Sequence, residues 1–105
     1  MRIRIWSTLR LSDGVRGHIR RRLGSALGRF RDHVEEVQVR LHDVNGPRGG
    51  VDKRCRLVLN GIGGINVVAQ GTAPNFYQAV DAAARRAARS VRRASAAPHT
   101  MRRSA

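Results

Sequence analysis

Acidic residues are scarce in this chain: 7 Asp and Glu stand against 21 Lys and Arg in 105 residues, a formal charge of +14. Solubility alone needs a net charge of magnitude about 2 to 8 in a small domain. A larger excess repels itself in the compact state unless a partner neutralises it. Nearly all the basic residues are arginine, whose planar fork of donors meets phosphate bidentately and stacks on bases, whereas lysine is a hydrated point charge. The composition points to a polyanionic partner, with nucleic acid first.

Cysteine is almost absent. Cys55 alone cannot form an intramolecular disulfide, and its place in an alternating apolar run reads as a buried, inert thiol in a reducing cytoplasm. His18, His33, His42 and His99 show no spacing suited to a metal, and one cysteine cannot complete a zinc site. No Gly-x-Ser-x-Gly, no phosphate-cradling glycine loop with Lys-Ser/Thr and no carboxylate pair in a pocket is legible. The chain therefore reads as a binding protein rather than an enzyme, with no cofactor, metal or small-molecule substrate.

Long apolar runs are also missing. Nothing approaches the roughly 18 consecutive apolar residues of a membrane span, and the N-terminus has no apolar centre of a secretory signal. The first thirty residues are arginine-rich and carry Asp13 as their one acid, the composition of a mitochondrial transit peptide. They read equally well as the first strand and helix of the domain, and removing them would leave the rest without a partner layer. Aromatics make up 4% and apolar residues 41%, much of that alanine, so 105 residues imply one domain with a modest core.

What is present is periodicity. Residues 1–6 alternate, with Met1, Ile3 and Ile5 on one side and Arg2, Arg4 and Trp6 on the other, as in a half-buried strand. Ser12 is positioned to cap a helix in which Val15, Ile19, Leu23, Ala26, Leu27 and Phe30 recur at spacings of three and four, ending near Phe30. From Val34 the period returns to two, with Val37, Val39 and Leu41 inward and Gln38, Arg40 and His42 outward. Asn45–Gly50 is dense in turn formers and reads as a mobile hairpin loop. Cys55, Leu57 and Leu59 mark a third strand. Asn60-Gly61 turns the chain, Gly63-Gly64 widens that turn or marks a bulge, and Ile65, Val67 and Ala69 mark a fourth strand.

Thr72 is placed to cap a second helix with Pro74 in its first turn. Phe76, Val80, Ala83, Ala84, Ala87 and Val91 form that helix's apolar stripe, opposite Arg85, Arg86, Arg89, Arg92 and Arg93. The order βαβββα predicts an α+β two-layer sandwich, a four-stranded sheet with two helices on one face. The domain spans 1–93, and 94–105 reads as a flexible basic tail.

The second helix carries a resemblance. Phe76-Tyr77-Gln78-Ala79-Val80-Asp81 followed by Arg86-Ala87-Ala88-Arg89-Ser90-Val91-Arg92-Arg93 is similar, without a gap, to the signature of the ribosome hibernation-promoting factor and ribosome-associated inhibitor family: apolar-Tyr-x-Ala-Ile-Asp, then Asp-Lys-Leu-x-Arg-Gln-Leu-x-Lys. The likeness covers about residues 1–93. It includes Ile3 and Ile5 in the first strand, Arg16 in the first turn of the first helix, Phe30-Arg31-Asp32 near its end, and the Gly-Gly turn before the fourth strand. Arg85 stands where the family has an acid, Ala87 where it has Leu and Ser90 where it has Gln.

The resemblance implies the same βαβββα fold. It also implies a cytoplasmic factor that occupies the mRNA and tRNA channel of the small ribosomal subunit, contacts ribosomal RNA at the decoding region and inhibits translation under stress. The chain stops soon after the second helix, which implies a short type without the dimerisation domain of longer members, monomeric when free.

On this reading the RNA-binding residues are Arg86, Arg89 and Arg93 on the second helix, Arg16 and Arg22 on the first, and Arg54 on the third strand, with Arg85 and Arg92 ranked behind them. Tyr77, at the border of the apolar arc, is structural, and Asp81 orients neighbouring arginines. Trp6 covers the outer sheet face, where it could also stack on a base. Six phosphate contacts predict a slope of log K against log salt on the order of −4 to −5. The alternatives are a general RNA- or DNA-binding protein without ribosome specificity, and a protein-interaction module working through the open sheet face.

Overall fold

The computed structural model describes residues 1–44 and 53–96. Strands β1 (Arg2–Ser7), β2 (Val34–Asp43), β3 (Lys53–Gly61) and β4 (Asn66–Ala73) form one sheet in the order β1-β2-β3-β4. β1 lies parallel to β2, with Ile3 opposite Val37 and Ile5 opposite Val39, while β2–β3 and β3–β4 are antiparallel. A parallel pair needs a crossover, and helix α1 (Asp13–Leu27) supplies it.

Val37, Val39, Leu41, Cys55, Leu57 and Leu59 bury one face of the sheet. Helix α1 covers it with Val15, Ile19, Leu23 and Leu27, and helix α2 (Phe76–Ala96) with Val80, Ala83, Ala84, Ala87 and Val91. Each fully buried aliphatic side chain contributes about 1.5–3 kcal/mol. The result is the expected two-layer α+β sandwich. Among the described residues no helix is long and apolar enough to cross a membrane.

Helix α2 can lie this low on the sheet because β4 offers no side chain beneath it at Gly71. A Cβ there would stand 2.6 Å from the Ala79 carbonyl oxygen and 2.7 Å from Ala83 N, closer than van der Waals contact allows. The β3–β4 connection is a 3₁₀ turn, Ile62–Gly64, with φ of 76° at Gly63 and 82° at Gly64. That is the left-handed region open to glycine at no steric cost.

The capping residues divide. Ser12 caps α1, its Oγ accepting from Val15 N at 3.2 Å. The α-helical part ends at Leu27, and a 3₁₀ turn, Gly28–Phe30, carries the chain on to Phe30. Thr72 does not cap α2. It belongs to β4, opposite Arg54, because pairing with β3 continues through Ala73 and holds the chain extended.

Asn75 is the cap: its Oδ1 accepts from Gln78 N at 2.9 Å and its carbonyl from Ala79 N at 3.1 Å. Pro74 accordingly precedes the helix instead of lying in its first turn. Helix α2 runs on to Ala96, past Arg93. The rest of the segment read as a tail and the Asn45–Gly50 loop lie outside the described residues.

Candidate nucleic-acid interface

Helices α1 and α2 pack side by side, and polar residues line their solvent-facing seam. Asp81 Oδ1 accepts from His18 Nε2 at 2.7 Å and from Arg22 Nε at 3.3 Å. The Tyr77 ring meets the His18 ring edge-on, with centroids 5.1 Å apart and planes at 63°. Asp81 is the sole acid of α2. Its carboxylate steers Arg22 along the seam, and Tyr77, though exposed, braces the histidine.

Beyond Asp81 the seam opens into a groove of about 370 Å³ lined by Arg22, Ser25 and Ala26 of α1 and by Arg85, Ala88, Arg89 and Arg92 of α2. Arg85, Arg89 and Arg92 stand at i, i+4 and i+7, one stripe of the helix. Like charges at that spacing destabilise a helix by a few tenths of a kcal/mol each, and Arg22 faces them from α1. Among the described residues no acid lines the groove. Ala26 and Ala88 keep its floor low, so the guanidinium groups rise around a hollow. Guanidinium groups so arranged can donate bidentate, charge-assisted hydrogen bonds to an anion.

The arginines named from sequence do not all meet there. Arg22 and Arg89 line the groove. Arg86 turns to the other flank of α2, where it donates to the Gln70 carbonyl of β4, and Arg93, seven residues on, projects from the same flank. Arg16 is exposed and lies six residues from Arg22, about 120° around α1, on the side remote from α2.

Arg54 belongs to the opposite face of the sheet, since the alternation that buries Cys55 turns Arg54 away from the helices. The groove in turn recruits Arg85 and Arg92, which charge and family likeness alone rank second. Their i, i+4, i+7 spacing with Arg89 is the signal in the sequence that marks them.

Cys55 is buried beneath the helices, and desolvation pushes its thiol up to about 12. Among the described residues no three His, Cys, Asp or Glu side chains are grouped to hold a metal ion.

Comparison with curated proteins finds no match. Among solved structures, a ribosomal subunit interface protein from Coxiella burnetii superposes with a TM-score of 0.76 at 18% identity, covering 91% of this chain and 99% of that one. The N-terminal domain of Thermus thermophilus Protein Y superposes with a TM-score of 0.71 at 23% identity, covering 89% and 98%. Both likenesses establish the fold. A model of the family described as Sigma 54 modulation protein / S30EA ribosomal protein matches residues 6–97. With that match spanning strands β2 to β4, the end of β1 and both helices of the groove, the chain belongs to the Sigma 54 modulation / S30EA family, the hibernation-promoting factors that its second helix resembles.

Proposed function

We propose that this protein is a ribosome-associated hibernation factor of the cytoplasm. Its interhelical groove grips phosphates of small-subunit ribosomal RNA near the decoding region, and its body then excludes mRNA and tRNA, inhibiting translation under stress. The observation that carries this reading is the convergence of Arg22, Arg85, Arg89 and Arg92 on one solvent-open groove that no acid lines among the described residues. Family membership supports the same reading, as does the likeness in fold to a ribosomal subunit interface protein from Coxiella burnetii.

The physics suits the task. Folded RNA is recognised through phosphates, 2′-hydroxyls and shape more than through base edges. Guanidinium groups fixed on packed helices also lose less freedom on binding than groups on loops that must first be ordered. Arg22 starts from a held position, because Asp81 already orients it.

The test is co-sedimentation with purified small subunits. The wild-type chain pellets with them, and a chain carrying Arg85→Gln, Arg89→Gln and Arg92→Gln does not, while its thermal unfolding is not lowered, because all three side chains are exposed and their loss relieves like-charge repulsion. Co-sedimentation retained by the triple variant overturns the groove. Equal affinity of the wild-type chain for an unrelated structured RNA favours a general RNA-binding protein.

A further inference from the structure

Among the described residues nothing covers the sheet face turned away from the helices, and it is not inert. Alternation along the strands puts Trp6 of β1, Arg40 of β2 and Arg54 and Arg56 of β3 on it. The register sets Trp6 beside Arg40 and Arg40 beside Arg56 on one rung, with Arg54 on the next rung opposite His42. We propose that this face is a second nucleic-acid site, which takes unpaired nucleotides of single-stranded RNA with Trp6 as the stacking platform and Arg40, Arg54 and Arg56 as phosphate ligands. It stands apart from the groove and does not rest on it.

Three observations carry the proposal. First, Trp6 is 45% exposed, and the Arg40 guanidinium carbon sits 5.3 Å from the centroid of its ring. Indole and guanidinium planes are both surfaces on which a splayed base stacks. A depression of about 360 Å³ lined by Trp6, Ser7, Thr8, Arg40 and His42 adjoins them, at the small end of the range of ligand sites.

Second, Arg40 and Arg56 are direct cross-strand neighbours, and like charges so placed destabilise a sheet. An anion between them removes that repulsion. Third, among the described residues the acid on this face, Glu36, lies toward the other end of the strands, where Arg4 Nε holds it at 3.1 Å. Among the described residues no acid stands on this face at the Trp6 end, which leaves those arginines their positive charge. An aromatic ring beside uncompensated arginines fits a flexible strand whose bases can leave the stack, and a duplex offers no such base.

Trp6 is the single tryptophan of the chain, so emission excited beyond the absorption of Tyr77 reports on this face alone. In a titration of the whole chain with oligouridylate at low salt, emission is quenched to saturation, and base-free polyphosphate of matched charge leaves it unchanged. The double variant Arg40→Gln, Arg56→Gln weakens the midpoint about tenfold, while Arg85→Gln, Arg89→Gln, Arg92→Gln leaves it within about threefold. Anisotropy of a labelled oligouridylate shows Trp6→Ala losing about fivefold to a hundredfold in affinity.

Absence of quenching, equal quenching by polyphosphate, or loss of quenching in the groove variant instead of the sheet variant each overturns the second site. None of these outcomes touches the sedimentation test of the groove, and failure of that test leaves the sheet face standing.

Discussion

His18 Nε2 donates to Asp81 Oδ1 at 2.7 Å across the seam between α1 and α2, joining side chains 63 residues apart in sequence. Because a carboxylate only accepts, this contact places the imidazole proton on Nε2. The same oxygen also receives Arg22. One carboxylate thus ties the two helices together and aims an arginine of the groove.

Replacing that carboxylate has a bounded cost, since the groups are partly exposed and water screens their charges. Asp81→Asn is expected to lower stability by about 1 kcal/mol, a fall of about 4–8 °C in Tm for a domain of this size. Thermal unfolding measures it. A double-mutant cycle with Arg22→Gln should recover a coupling of about 0.5 kcal/mol, and strict additivity would show that Asp81 does not hold Arg22.

The salt dependence of RNA binding separates the arginines by position. With four groove contacts the slope of log K against log salt is expected to be about −3 to −4, shallower than six contacts would require. Arg85→Gln, Arg89→Gln, Arg92→Gln should reduce its magnitude by about 2 to 3, and Arg86→Gln, Arg93→Gln by under about 1. Filter binding across a salt series gives both numbers, and equal effects of the two sets would dissolve the distinction between groove and flank.

Gly71 is where the two layers come closest. Gly71→Val introduces a branched side chain against the Ala79 carbonyl and the Ala83 amide, which are backbone and cannot swing aside. Overpacking of this kind costs about 1–3 kcal/mol or more, so the stability measured by denaturant unfolding should fall by that amount. Val68→Thr on the open face of the same strand, where the side chain is exposed, serves as the near-neutral control.

Cys55 links stability to alkaline pH. The unfolded thiol releases its proton near its ordinary value of 9.0, while the folded one, desolvated by burial, holds it to about 12. Between those values the unfolded chain binds fewer protons than the folded chain, so stability is intact below about pH 9 and declines as pH rises through this window. The native protein should resist thiol reagents at pH 8 and react once denatured, and rapid native labelling would contradict the burial.

Some of this is legible residue by residue. The period-two runs around Val37, Leu57 and Val67 and the wide apolar stripe of α2 identify their elements because each period matches one backbone geometry. Ser12 caps as its neighbours suggest. Thr72 has an equally good capping side chain, yet pairing with β3 engages it first, so tertiary contact overrides a local preference.

Charge groups Arg54 with the helix arginines, although its alternation with Cys55 already places it on the far side of the sheet. Arg85 and Arg86, adjacent in sequence, part because about 100° of helix separates them, and only the position of α1 decides which of the two faces the groove.

Composition and periodicity alone determined a basic, arginine-displaying βαβββα sandwich, since charge count and burial pattern are properties of the chain taken in order. The tertiary structure decided which guanidinium groups meet. Convergence depends on how one helix rolls against another and on which side of a sheet a residue stands, and those quantities are set by packing between segments far apart in sequence, here Arg22 with Arg89 in one groove and Trp6 with Arg40 and Arg56 on the opposite face.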